Sequence, residues 1–148
     1  MLSGCKKDAS CINQSKISGD IVSDLNLGVC YNLMQNDTII ITDTATFLDL
    51  KNKIDVDYYA LYSAKCDTLK DTIDFSAYNI IGYFSSGIGC NVNFHKEFII
   101  DNALRTYSYI ITIEECGECT LEEFSMNWII VPKLDLTYTF IFDKKFEK

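Results

Sequence analysis

Apolar positions along the chain follow two periods, and the switch between them gives the first expectation of fold. Thr38 to Thr42 encloses Ile39, Ile40 and Ile41, which read as a short buried strand. Immediately afterwards Phe47, Leu50 and Ile54 fall at i, i+3 and i+7 with Leu48 beside them, making one apolar helix face. Thr42, Asp43 or Thr44 supplies its N-cap, and Asn52 and Lys53 lie near its end. From Asp74 onward the period becomes two. Asn79 to Ser85 carries Ile80, Ile81, Tyr83 and Phe84, and Val92, Phe94, Phe98 and Ile100 suit a half-buried strand. Tyr107, Tyr109, Ile111 and Ile113 alternate cleanly, and Phe124 to Val131 and Tyr138 to Phe142 supply two more strands.

The punctuation agrees. Asp101-Asn102-Ala103 is a turn, because Asp and Asn tolerate unusual dihedrals. Ser85 to Gly89 reads as a hairpin connection or bulge, and Pro132, lacking a backbone donor, belongs at a strand end or edge. A further strand is expected near 28–34, and the mixed stretch 55–72 has room for a second short helix. Short connections favour antiparallel pairing. The expected fold is α+β: an antiparallel β-sheet of about five to seven strands with one main helix packed on it, stapled by disulfides. Residues 18–148 form a single β-rich globular domain, preceded by a polar tether through residue 17.

Charge and cysteine content narrow the function classes. The net charge of −8 disfavours nucleic acid, which requires clustered Lys and Arg. The seven cysteines are Cys5, Cys11, Cys30, Cys66, Cys90, Cys116 and Cys119. A structural zinc site usually shows two close ligand pairs, whereas here only Cys116 and Cys119 are close and His95 is the single histidine. Scattered cysteines suit disulfides, and therefore an oxidising compartment. The odd one is explained by Leu2-Ser3-Gly4-Cys5, which resembles a bacterial lipobox whose cysteine is acylated after signal-peptide cleavage. Most of such a signal peptide does not precede it, so the expectation is a chain shortened at its N-terminus. No stretch approaches the roughly 20 apolar residues of a spanning helix, which leaves the lipid on Cys5 as the membrane link. The location implied is the bacterial cell envelope, lipid-anchored on the periplasmic or cell-surface side.

No constellation of catalytic residues emerges. Cys116-Gly117-Glu118-Cys119 has the form of a thiol oxidoreductase motif, and Thr120 and Glu123 offer a capping box for a helix behind it. It lies late in the chain, however, and Glu115, Glu118, Glu122 and Glu123 disfavour a thiolate, so a structural disulfide is the better reading. His95 has no triad or metal partners at recognisable spacing and reads as an exposed strand residue. Ser85 to Gly89 is neither a nucleophile elbow nor a P-loop. No calcium loop is present, and no cofactor or metal is expected. Tyr107, Tyr109, Tyr138 and Phe140 would be candidates for a small-molecule or glycan surface if they faced solvent; the favoured reading places them in the core.

The order of several short motifs resembles a known family. Asp43-Thr44-Ala45-Thr46-Phe47 opens a helix, then come Ile73-Asp74-Phe75-Ser76, Ile80-Ile81-Gly82, Gly89-Cys90, Cys119 and Asn127-Trp128-Ile129-Ile130-Val131-Pro132-Lys133. This resembles the PrcB-like C-terminal domain family and the small bacterial lipoproteins sharing its pattern, over roughly residues 38 to 142. The family's namesake is an accessory subunit of a secreted protease, so the resemblance implies a non-catalytic binding or stabilising role toward a protein partner. No catalytic residues carry over. The resemblance also implies a Cys90–Cys119 disulfide. A hairpin of 92–100 with 104–114 would bring both to one end, where Cys116 is a rival partner. The pairing of Cys11, Cys30, Cys66 and Cys116 is left open; with Cys119 taken by Cys90, Cys116 reaches back to Cys11, Cys30 or Cys66. If Cys5 is the acylated residue, radiolabelled palmitate enters the full-length precursor and not its Cys5→Ala variant; equal labelling of the two would end that reading.

Overall fold

The computed structural model describes residues 14–27, 30–31, 38–63 and 72–147. Among these the elements are β1 (Ile17–Gly19), β2 (Ser23–Leu25), β3 (Thr38–Ile41), α1 (Thr44–Tyr62), β4 (Tyr78–Ile88), β5 (Asn91–Asp101), β6 (Thr106–Cys116), β7 (Glu122–Pro132) and β8 (Thr139–Glu147). The fold is α+β, as expected, but the strands number eight and form two four-stranded sheets, ordered β1-β5-β6-β8 and β2-β7-β4-β3.

The framework is one long β-ribbon folded over on itself. β4 pairs antiparallel with β7 from Tyr78↔Pro132 to Ile88↔Glu122. β5 pairs antiparallel with β6 from Asn91↔Cys116 to Asp101↔Thr106. Between the two halves one arm contributes only Gly89 and Cys90, the other residues 117–121. Such an imbalance acts as an extended bulge, which is how a strand pair turns a corner from one sheet into another. The arms stay in contact through the corner, with Gly89 N–H donating to Leu121 O (2.9 Å) and Cys90 N–H to Cys116 O (2.7 Å). A side chain at Gly89 would meet Cys116 O at 2.8 Å, and Gly117 adopts φ 78°. Both positions therefore need glycine. Cys90 and Cys119, one from each arm, are joined by a disulfide across the corner (Cα–Cα 4.6 Å).

Doubling the ribbon makes the core. The inward faces supply Ile81 and Tyr83 of β4, Phe94 and Phe98 of β5, Tyr107, Tyr109, Ile111 and Ile113 of β6, and Ile129 and Val131 of β7. On its other face the second sheet packs Ile41, Ile80, Met126 and Trp128 against α1 through Ile54, Phe47, Leu50 and Tyr58. The first half of β4 and the C-terminal half of β7 are thus covered on both faces, and Ile80 to Phe84 and Trp128 to Val131 are nearly continuous apolar runs rather than alternations. Tyr109 is buried between the sheets, where its hydroxyl donates to Asn127 O (2.9 Å) and burial pushes its ionisation well above the usual phenol range.

Several details differ from the sequence reading. Residues 85–88 are strand rather than connection, and Ser85 is fully buried. A side chain on Gly87 would strike Ile113 and Val92 at 2.8 Å, so small residues stand there because the sheets converge, not because the chain turns. The turn beyond β5 spans 102–105, with Leu104 N–H donating to Asp101 Oδ1 (2.8 Å). α1 is capped by Asp43, whose Oδ1 accepts from Thr46 N–H (2.8 Å), and it runs to Tyr62, well past Asn52 and Lys53. Tyr58, one turn beyond Ile54, extends the apolar face. No helix follows the CxxC; residues 122–132 are β7. Two pairings are parallel, β1 with β5 and β6 with β8; the second arises because residues 133–138 carry the chain from one sheet to the other instead of back beside β7. In the region expected as a strand near 28–34, Cys30 and Tyr31 lie in a 3-10 turn. The remainder of that strand, and residues 64–71 of the proposed second helix, lie outside the described residues.

The disulfide closes a loop of sequence separation 29. Chain-entropy arithmetic for such a loop gives about 3 to 4 kcal/mol. Urea unfolding of a Cys90→Ala/Cys119→Ala variant should show a loss of that order; a loss under about 1 kcal/mol would mean that the corner is held by packing alone.

Candidate functional site

His95, Glu114 and Asn93 form a linked polar group on the first sheet. Asn93 Nδ2 donates to Glu114 Oε2 (2.8 Å), and His95 Nε2 lies 3.1 Å from the same oxygen. Lys16 N–H donates to His95 Nδ1 (3.1 Å), so the imidazole proton resides on Nε2 and is given to Glu114. Both ring nitrogens are therefore engaged. Neighbouring bonds show what the group does: Phe94 N–H donates to Ser15 Oγ (3.2 Å), and Lys96 N–H to Lys16 O (2.8 Å). Further along, Asp20 N–H donates to Phe98 O (2.6 Å), and Ile100 N–H donates to Asp20 Oδ2 (2.8 Å). The chain from Ser15 to Asp20 is strapped along β5, so structured chain begins before residue 18. His95 is half-buried under this strap rather than exposed.

Lys133 joins three segments at a junction away from the ribbon's corner. Lys133 Nζ donates to Phe75 O (2.7 Å) and Thr42 O (3.3 Å), joining the end of β7 to the Asp74–Ala77 turn and the start of α1. Asp74 Oδ1 accepts from Ser76 N–H (2.9 Å), and the hydrogen bonds from Ser76 hold the Asp74 carboxyl below its usual range. Asn79 Oδ1, fully buried, accepts from Leu134 N–H (2.8 Å).

The cysteines and aromatics divide as follows. Cys119 of the CxxC is bonded to Cys90, not to Cys116, while Cys30 and Cys116 are disulfide-bonded as well. Cys5, Cys11 and Cys66 lie outside the described residues. Tyr107 and Tyr109 are core residues, and Tyr138 and Phe140 pack against them half-buried, so these four form no open aromatic surface. Among the described residues no group of three or more His, Cys, Asp or Glu is placed to hold a metal ion.

Two surface features remain. A cleft of about 350 Å³ opens at the β2 edge, lined in part by Asp24, Leu27, Phe94, Lys96, Met126 and Trp128. Its described lining holds one cation and one carboxylate, and Lys96 is ion-paired to Asp24. The second feature is an apolar patch at the corner of the ribbon. Phe84 and Ile88 of β4 and Phe124 of β7 lie on the same face as Ile80, Met126 and Trp128; Phe84 packs half-buried against that cluster, and Ile88 and Phe124 lie farther toward the corner. The Phe84 and Phe124 rings are 6.3 Å apart. Ile88 is 54% and Phe124 50% exposed, and Leu121 beside them is 64% exposed. The sequence gives these residues no mark that separates them from core aromatics, because what leaves them bare is where the helix lies.

No family model, no curated protein and no solved structure matches the chain.

The Glu114 carboxyl is held below the usual range, first by the hydrogen bond from Asn93 and next by that from His95. A carboxyl lowered in the folded state stabilises the fold above its unfolded value, and that contribution disappears as the pH falls through the folded value. Glu114→Gln should therefore lower the urea midpoint at neutral pH, with the gap to wild type closing on acidification. A gap of constant size across the acid range would show that the carboxylate charge plays no part in holding the strap.

Proposed function

We propose that this chain is a non-catalytic, protein-binding module of the cell envelope, tethered through a lipid on Cys5. The observation that carries the reading is the exposure of Ile88, Leu121 and Phe124 at the corner, beside the half-buried Phe84 ring. Solvent-exposed aromatic and aliphatic side chains grouped on a rigid sheet are the kind of surface that a protein partner covers. The disulfides at Cys90, Cys119, Cys30 and Cys116 support an oxidising compartment.

Catalysis has little to rest on. The CxxC thiols are spent in separate disulfides, and both nitrogens of His95 hold structure together. The order of motifs resembling the PrcB-like domains points the same way, toward an accessory or stabilising role, with a secreted protease as one candidate partner. The second reading, a small-molecule or glycan binder, loses its aromatic surface to the core and retains only the Lys96–Asp24 cleft.

The test is site-specific photocrosslinking in cells that make the full-length protein. p-Benzoylphenylalanine at position 124 should yield one dominant crosslinked protein. The same residue at Leu104, which is 74% exposed in the turn at the opposite end of the ribbon, should not. Indistinguishable crosslinking from the two positions would remove the patch as the binding surface.

A further inference from the structure

The surroundings of the patch indicate what kind of segment it receives. The strands that build it, β4 and β7, and the connection leading into β7 carry charge of one sign only. From Tyr78 to Cys90 there is no charged residue, and from Thr106 to Pro132 the only charged residues are Glu114, Glu115, Glu118, Glu122 and Glu123. Glu122 is the direct cross-strand partner of Ile88, on the same face as Phe84 and Phe124. Glu118 is exposed in the connection beside Cys119, whereas Glu115, which accepts from Ile88 N–H (2.9 Å), has its side chain against Gly87 on the other face of β4. Carboxylates therefore stand beside the apolar side chains, with no Lys or Arg on β4 or β7; Lys96 of β5 is ion-paired to Asp24. Among the described residues, cations toward this end are Lys16, whose charge acts on Glu114, and those of β8 in the other sheet, where Lys145 is aligned with Thr112 and Lys144 lies over the Tyr83 ring at 4.8 Å.

We infer that the patch docks a cationic, apolar segment of a protein partner: large hydrophobic side chains seated on Phe84, Ile88 and Phe124, flanked by Lys or Arg facing Glu122 and Glu118. The inference rests on the partner-binding reading and specifies its chemistry. Burial of the rings supplies affinity, and the opposed charges supply steering and selectivity. The same rim disfavours the competing occupant, a bilayer, since anionic lipid headgroups would be set against carboxylates.

The experiment uses ¹⁵N-labelled protein of the full chain and two synthetic peptides of one length, Lys-Phe-Lys-Leu-Lys-Phe-Lys and the same sequence with every Lys replaced by Glu. The cationic peptide should bind at least about tenfold tighter than the acidic one, a difference of about 1.4 kcal/mol. Its shift perturbations should centre on Ile88, Leu121 and Phe124, and added salt should weaken it. Phe124→Ser, and separately Glu118→Gln/Glu122→Gln, should each lower the affinity about tenfold or more while leaving the remaining spectrum folded. Equal binding of the two peptides, perturbations centred elsewhere, or attachment of the patch to phosphatidylglycerol vesicles in preference to the cationic peptide would overturn the inference. A cellular crosslink that requires Phe124 but withstands Glu118→Gln/Glu122→Gln would overturn it too, while leaving the partner-binding reading intact.

Discussion

Everything in this fold depends on a ribbon being made to double back. A two-stranded ribbon of the length of β4–β5 against β6–β7 cannot bury both faces by itself; folded at its middle, it becomes two sheets with a shared interior. The fold is forced where residues 117–121 on one arm must be accommodated against Gly89 and Cys90 on the other. The Cys90–Cys119 bond stands at that point, linking arms that are already hydrogen-bonded, so it fixes the angle at which the two sheets meet. Tyr109, Ile111, Ile129 and Val131 are fully buried because that angle is kept.

The remaining elements close what the ribbon leaves open. β1 and β2, only three residues each, follow one another across one side of the sandwich, β1 joining β5 and β2 joining β7. β8 and β3 complete the other side, and Phe142 of β8 packs on Tyr83 of β4 across the interior. The helix is the third layer and covers only part of its sheet. Lys133 ties its start to the end of β7, so the covered part is the end away from the corner.

Much of this was legible in the sequence where a side-chain pattern exists. β6 alternates because one of its faces is wet, and Tyr107 to Ile113 announced it. α1 showed its buried face through Phe47, Leu50 and Ile54, but its last turns carry a mixture that follows no period, and its end was drawn too early. The two-sheet arrangement was not legible, since no local pattern distinguishes strands that stay in one sheet from strands that turn into another. β1 and β2 are held largely by backbone hydrogen bonds, which leave no trace in residue choice. Ser85 and Gly87 misled for the opposite reason: small residues mark turns, and they also mark places where two sheets press together. Of the candidate site, the glutamates were noted for their effect on a thiol, whereas their place around Phe124 depends on the register Ser86↔Phe124 and Ile88↔Glu122, which only pairing defines.

The parallel docking of β1 beside β5 has a directional consequence. Because the two strands run the same way, Ser15 lies against Phe94, close to where β5 leaves the corner at Asn91. The described chain therefore begins at the same pole of the molecule that bears Ile88 and Phe124, and not at the turn of 102–105. A partner that grips Phe124 would approach past the N-terminal end of the described chain, so that end and the apolar side chains are accessible from one direction.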